Sequence, residues 1–308
     1  MIERKTVLAA AAVTIVIAAA FSYPASAKEE PTPLKPSSNW NLNYAEKNCR
    51  LMRIFGEGDD QVVFAIEQAS PGDGFSLIVA GRPLRSLRLD RSPDEVRIQF
   101  GPFEEESERA VLDGNLGKFD PAAIIPGAAL GTLADERVDG PDGDAETGPF
   151  DLIGRNFPDE RAARIEWFRM ARRGSAITLA TGAMDKPMAA LQQCMESLIS
   201  TWGIDLAAHR ELSRRAEPTN NPGKWIRSSD YPPSELMMGG QALIKFRLTV
   251  DEEGMPIDCD VSGLTDSAAF AEISCSRLKQ RARFTPALDA AGKPIRSVYL
   301  GSVRFKMP

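Results

Sequence analysis

The fold of the C-terminal part of this chain is decided by residues 241–261, QALIKFRLTVDEEGMPIDCDV. From residue 242 to residue 250 every second side chain is apolar, and Lys245 and Arg247 fall between the apolar positions. This period of two predicts a strand with one buried face and one wetter face. The sequence Asp-Glu-Glu-Gly that follows is typical of a hairpin turn. A second strand is therefore predicted from Met255 to Val261.

The chain after this hairpin predicts a helix and a third strand. Phe270, Ile273 and Leu278 share one apolar stripe, and Asp266 is placed to cap the start of a helix. Lysine and arginine residues crowd its end, where the helix dipole favours positive charge. A turn at 292–294 then leads into a strand at 295–305. Residues 225–308 are thus predicted to form a small ββαβ module.

The module contains a series of aromatic, glycine, proline and small apolar residues at defined spacings: Tyr231, Pro232, Gly240, Phe246, Val250, Gly254, Val261, Phe270, Phe284, Pro286, Ala287, Gly292, Pro294, Val303 and Phe305. In their order and spacing these residues resemble the TonB C-terminal domain family. The resemblance implies a periplasmic module of a Gram-negative bacterium. It also implies recognition of a short extended segment of an outer-membrane transporter, or of another envelope partner, by strand pairing.

The resemblance makes the third strand the candidate for this pairing. The expected partner-binding residues are Ile295, Ser297, Tyr299, Gly301, Val303 and Phe305. Energy transducers of this family keep a membrane anchor and a long proline-rich spacer before the domain. A β-rich domain is predicted here where the spacer would stand, so the resemblance implies binding and does not extend to energy coupling.

Residues 40–212 predict a mostly antiparallel β domain that ends in a helix, which makes the fold class α+β. The helix is indicated by apolar residues at three- and four-residue steps from Met188 to Trp202. Between residues 104 and 158 the periodicity fades, except in 121–133, an apolar run that fits either a short helix or a buried strand. The predicted strands are 40–44, 49–55, 61–69, 75–80, 95–100, 165–171 and 176–180.

Three segments flank these domains. Residues 1–27 have the basic start, apolar run and small-residue ending of a secretory signal peptide, with cleavage expected after Ala27. This predicts a periplasmic protein; the alternative is an uncleaved segment that anchors the chain in the inner membrane. Residues 28–39 are predicted to be a flexible lead-in, and the polar, proline-containing residues 213–224 a linker.

The chain has four cysteines, which an exported protein is expected to use in disulfides. Three pairings are possible. We favour Cys49 with Cys194 and Cys259 with Cys275, because each pair then lies within one predicted domain. The second pair would tie the hairpin of the C-terminal module to its helix.

The composition argues against several classes of function. A net charge of −6 argues against nucleic-acid binding, which requires a concentrated basic face. The chain has a single histidine, His209, interpreted as a solvent-exposed residue at a helix end, so a catalytic triad would have to include it. No catalytic residue, metal or cofactor is assigned. A pair of catalytic carboxylates is left as an alternative, because the separation of two carboxylates depends on the fold.

The leading hypothesis is therefore a non-enzymatic periplasmic protein that binds an extended partner segment and aids TonB-dependent transport. A second hypothesis is a structural or assembly protein of the cell envelope, in which the C-terminal module packs on the first domain or on another copy in a homodimer. The third hypothesis is a hydrolase housed in the first domain.

Overall fold

The computed structural model describes residues 32–69, 74–89, 94–114, 116–128, 159–263 and 267–307. The predicted signal peptide, the expected helix cap Asp266 and most of 104–158 lie outside this part of the chain. Residues 31–308 form one compact unit. The α+β class is confirmed.

The N-terminal part is a nine-stranded antiparallel sheet in the order β1-β2-β3-β4-β7-β6-β5-β8-β9. Its strands are β1 (Asn41–Tyr44), β2 (Cys49–Phe55), β3 (Val62–Gln68), β4 (Phe75–Ala80), β5 (Asp94–Phe100), β6 (Ser107–Gly114), β7 (Ala122–Ala128), β8 (Phe168–Arg172) and β9 (Ser175–Leu179). The seven predicted strands are confirmed within two or three residues at each end. The ambiguous run at 121–133 contains a strand, β7.

The sheet curls, and residues 34–36 join its last strand, β9, to β2 near its other end. Leu34 forms a parallel bridge with Leu179 of β9, and Pro36 forms an antiparallel bridge with Phe55 of β2. The rings of Phe64 on β3 and Phe168 on β8 lie 4.7 Å apart, although four strands separate β3 from β8 in the sheet. The sheet therefore encloses its own core as a barrel. Residues 34–36 are part of this fold, so the prediction of a flexible lead-in is wrong for them.

Among the described residues, three helices accompany the barrel: α1 (Asp159–Ala163), α2 (Asp185–Thr201) and α3 (Leu206–Arg210). The predicted helix is α2, and its stripe of Met188, Leu191 and Leu198 is buried in the barrel core. The disulfide between Cys49 of β2 and Cys194 of α2 fastens the helix to the sheet, as predicted.

The C-terminal module consists of β11 (Ala242–Val250), β12 (Pro256–Gly263), α5 (Ala268–Arg281) and β16 (Ser297–Phe305), which confirms the ββαβ order. The second disulfide, between Cys259 of β12 and Cys275 of α5, is also confirmed. Shorter elements complete the module: β10 (Glu217–Pro218), α4 (Pro233–Met238), β13 (Phe284–Thr285), β14 (Ala287–Leu288) and β15 (Pro294–Ile295).

The predicted linker runs along this module. Glu217 and Pro218 of β10 pair with β13, and Arg214 bridges to Leu288 of β14. The main-chain N–H of Ser213 also donates to the carbonyl of Leu288, at 3.0 Å. Residues 213–218 are therefore held against the module by backbone hydrogen bonds.

Candidate functional site

The C-terminal sheet has three strands in the order β12-β11-β16, with the central strand β11 antiparallel to both neighbours. All nine residues of β16 pair with β11, from Ser297 opposite Val250 to Phe305 opposite Ala242. On its other side β16 has no neighbouring strand in the described part of the chain. The strand predicted to bind a partner is therefore an edge strand of the sheet.

Helix α5 covers one face of this sheet. Two apolar clusters fill the space between them, one around Leu248, Leu278 and Trp225, and one around Phe270 and Phe305. Trp225 lies against Phe284 and Tyr299, with ring centroids 5.5 and 5.6 Å away. The Trp225 ring therefore lies inside the module.

The six predicted partner-binding residues do not all lie on β16. Ile295 belongs to β15 and pairs with Ala287 of β14, so it is wrongly placed in the edge strand. The other five occupy alternate positions of β16 on the side of α5. The large side chains among them pack into the two apolar clusters: Tyr299, Val303 and Phe305.

Gly301 belongs to this inward-facing set. A Cβ atom at this position would come within 2.5 Å of the ring of Phe246, so the ring occupies the space above the glycine. The inward-facing side chains thus hold the edge strand in place. A paired partner would contact the β16 backbone, together with the alternate residues Leu300, Ser302 and Arg304 on the other face.

The face of the sheet opposite α5 is covered in part by the barrel domain. The Arg247 guanidinium on β11 lies 3.4 Å from the centroid of the Trp202 ring, which directly follows α2. It also lies 3.3 Å from Asp260 on β12, and Lys47 of the barrel approaches the same carboxylate at 2.7 Å. Burial lowers the pKa of Arg247 from its usual range, but an arginine stays charged at neutral pH.

The start of β16 takes part in this junction. Val298 is buried in a small apolar cluster with Ile199 and Ile204 of the barrel domain. Leu243 and Lys245 on β11, and Ser302 and Arg304 on β16, remain exposed on the same face. The barrel therefore covers one half of the face and leaves the other half open.

A buried carboxylate ties the entrance of the module to α5. Asp230, only 4% exposed, accepts hydrogen bonds from Arg277 Nε at 2.9 Å, from Arg281 Nη2 at 3.0 Å and from the main-chain N–H of Arg227 at 2.8 Å. The hydrogen bonds from Arg281 hold the pKa of the Asp230 carboxyl below its ordinary value, although burial acts in the opposite direction.

We expect Asp230→Asn to lower the free energy of unfolding at pH 7 by about 2 kcal/mol, because charge-assisted hydrogen bonds to a buried acceptor are lost. The folded-state pKa lies below the unfolded value of about 4, so this stabilisation is present above that pH and is lost as the pH falls through the folded pKa. Urea unfolding at pH 7, 5 and 3 should show the difference from the unmodified chain shrinking at the lowest pH. Glu253→Gln, at an exposed carboxylate, is the control and should show no such difference.

The single histidine is buried, so its interpretation as a solvent-exposed residue is wrong. His209 on α3 is 4% exposed, and its Nδ1 lies 2.8 Å from the carbonyl oxygen of Asp205. Burial lowers the pKa of the imidazole, which favours the neutral form. Sequence reasoning missed this because α3 has only five residues and no clear apolar period.

A polar depression of about 270 Å³ lies on the barrel, and its lining brings two carboxylates together with three arginines. The lining residues are Glu95, Arg97, Glu108, Ala171, Arg172 and Arg173. Within the described ranges, no three histidine, cysteine, aspartate or glutamate side chains converge on a point that could hold a metal ion.

Residues 227–307 match the family model for the C-terminal domain of the Gram-negative bacterial TonB protein. This segment is a TonB C-terminal domain. The predicted family and its extent at residues 225–308 are thereby confirmed. Comparison with curated proteins found no match, and neither did comparison with solved structures.

The TonB C-terminal domain accounts for about a quarter of the chain. Domains of this family are binding and transducing modules of the cell envelope that interact with outer-membrane proteins, and they are not enzymes. No helix among the residues that the structure describes is both long and apolar enough to cross a membrane.

Proposed function

We propose that the TonB C-terminal domain of this chain binds an extended segment of an outer-membrane transporter, or of another envelope protein, by pairing it with β16, and so aids TonB-dependent transport. The observation that carries this proposal is the edge position of β16, which pairs over nine residues with β11 on one side only in the described chain. An exposed sheet edge is a template for an added strand.

The packing of β16 suits this role. Its inward-facing side chains Tyr299, Val303 and Phe305 are held in the module core, so the strand is already in the extended form that a partner needs. Preorganisation of this kind raises affinity because less conformational entropy is lost on binding. The main chain supplies the hydrogen bonds, and the open face at Ser302 and Arg304 supplies side-chain contacts.

We place this activity in the periplasm. The signal-like residues 1–27 support export, with cleavage after Ala27. Both disulfides support the same compartment, because such bonds form and persist in oxidising environments. An uncleaved N-terminal segment would anchor the chain in the inner membrane. The TonB C-terminal domain would then still lie on the periplasmic side of that membrane.

A second candidate function is that of a structural or assembly protein of the cell envelope. The junction formed by Trp202, Arg247 and Asp260 favours it, because this contact uses part of the sheet face for packing within the chain. In that case β16 would pair with a second copy of the chain rather than with a transporter.

Cross-linking of peptides to an introduced thiol tests the proposal. All cysteines of the chain are in disulfides, so Ser302→Cys places a single reactive thiol beside the edge. The probes are peptides from the periplasm-facing segments of outer-membrane transporters, each carrying one maleimide at a successive position. We expect the yield of cross-linked product to alternate with a period of two along the peptide, because every second residue of a paired strand lies on the same face of the sheet as Ser302.

Asp258→Cys is the matched control, because Asp258 is exposed on β12 at the opposite side of the sheet. Its cross-linking should stay at background. Equal yields at the two positions would contradict pairing at β16. Sedimentation of the unmodified chain as a dimer that excludes the peptides would instead support the assembly role.

A further inference from the structure

The most exposed large apolar side chains of the described residues lie on α4. Met237 and Met238 are 83% and 73% exposed, and Leu236 beside them is 46% exposed. Leu243, the second residue of β11, is 41% exposed on the open face of the sheet. We refer to the three α4 residues Leu236, Met237 and Met238 as the Met patch.

The Met patch is held at a defined place in the module. The Tyr231 hydroxyl donates a hydrogen bond to the carbonyl of Gly240, and its ring packs against Phe305 with centroids 5.6 Å apart. Ser267 Oγ donates to Glu235 Oε1 at 2.6 Å, which fastens α4 to the start of α5. The patch is therefore fixed at the end of the module where β11 begins and β16 ends.

Positive charge accompanies the patch. Leu243 pairs with Arg304 across the sheet, and Lys245 follows two residues later on the same face. Lys306 lies just beyond the end of β16, and these three cationic side chains are all exposed. The one acidic residue of α4, Glu235, is half-buried and accepts the hydrogen bond from Ser267. Apolar and cationic groups thus share this end of the module.

We propose that this end of the TonB C-terminal domain docks on an anionic lipid surface of the envelope, with the Met patch inserted among the acyl chains and Lys245, Arg304 and Lys306 against the headgroups. Apolar side chains with basic neighbours are the combination that binds such surfaces. The Met patch lies outside β16, whereas Arg304 belongs to that strand, so docking would hold β16 close to a membrane.

The shape of the patch favours a lipid over a protein as the occupant. Exposures of 73% and 83% mean that the two methionines project from the surface and do not line a groove. A stable protein interface needs about 800 Å² from each partner, which three side chains on a six-residue helix do not provide. Insertion into a bilayer needs only projecting apolar side chains and nearby cations.

Vesicle co-sedimentation tests the proposal with the chain from Lys28 to Pro308, since residues 31–308 form one compact unit. We expect binding to vesicles of phosphatidylglycerol and phosphatidylcholine, weaker binding to phosphatidylcholine alone, and a decrease with added salt. Met237→Ser/Met238→Ser should lower the partition coefficient about tenfold, because two apolar side chains are lost. Charge removal in Lys245→Gln/Arg304→Gln should lower it about tenfold as well.

The matched control is Met255→Ser/Ile257→Ser, which removes two exposed apolar side chains from the β12 side of the same sheet. This variant should bind vesicles as the unmodified chain does. Absence of vesicle binding by the unmodified chain, or equal losses in the two serine variants, would overturn the proposal. So would a Met237→Ser/Met238→Ser variant that keeps vesicle binding and loses peptide cross-linking at residue 302, because the patch would then belong to the strand-binding site.

Discussion

Loss of the disulfide between Cys49 and Cys194 is expected to lower the free energy of unfolding by about 4 to 5 kcal/mol. The two residues are 145 positions apart, so the bond closes a long loop and removes many conformations from the unfolded chain. Both side chains are buried in the barrel core, and Cys49→Ala/Cys194→Ala keeps small apolar groups there. Urea unfolding of this variant against the unmodified chain measures the difference.

The other disulfide is the matched control. Cys259 and Cys275 are only 16 positions apart, so Cys259→Ala/Cys275→Ala should cost about 3 kcal/mol, less than the first variant. Comparable losses in the two variants would show that loop closure is not the main source of the stabilisation. Because Trp202 directly follows α2, Cys49→Ala/Cys194→Ala should also loosen the junction with the TonB C-terminal domain. Limited proteolysis should then cleave the chain faster near Trp202 than in the unmodified protein.

Asp260→Ala is expected to lower the free energy of unfolding by about 3 kcal/mol. The Arg247 side chain is only 6% exposed, and its Nε and Nη1 atoms have no hydrogen-bond partner among the described residues. Removal of the carboxylate would leave a buried charge without its counter-ion. Breaking a buried pair in this way costs more than the pair itself contributes. Urea unfolding at neutral pH measures the effect.

Two further variants test whether the broken ion pair accounts for the loss of stability in Asp260→Ala. Lys47 is 66% exposed, so Lys47→Ala should change the free energy of unfolding by about 0.5 kcal/mol or less. The double variant Arg247→Met/Asp260→Ala leaves no uncompensated charge and should be more stable than Asp260→Ala alone. If the double variant were the less stable of the two, the stacking of Arg247 on Trp202 would be the dominant contribution.

Strand β6 shows why part of the fold could not be predicted from the sequence. Ser107 and Arg109 are half-buried on the same side as the buried Val111, whereas Ala110 and Leu112 are exposed, so neither side of the strand is consistently apolar. A hydrophobic pattern cannot reveal a strand that has both polar and apolar side chains on its inward side. Its place is decided by pairing with β5 on one side and β7 on the other.

The same reason applies to strand β16 at the candidate site. Positions 297–305 contain apolar side chains in both alternating sets, for example Tyr299 and Val303 in one and Val298 and Leu300 in the other. The period alone therefore predicts a strand but not which set faces the core. Helix α5 buries the first set, and the barrel buries Val298 of the second. Tyr299, Val303 and Phe305 pack towards the module core, and their role in binding a partner stays a prediction.

The sequence by itself determined the ββαβ module, its family and most strands of the first domain, because each depends on local periodicity or turn residues. It favoured the two disulfide pairings among three, because each pair lies within one predicted domain. Only the tertiary structure decided that the first sheet closes through Leu34, that Arg247 is buried against Trp202, and that β16 keeps an open edge beside a half-covered face. These features come from contacts between residues far apart in the chain, which no local pattern encodes.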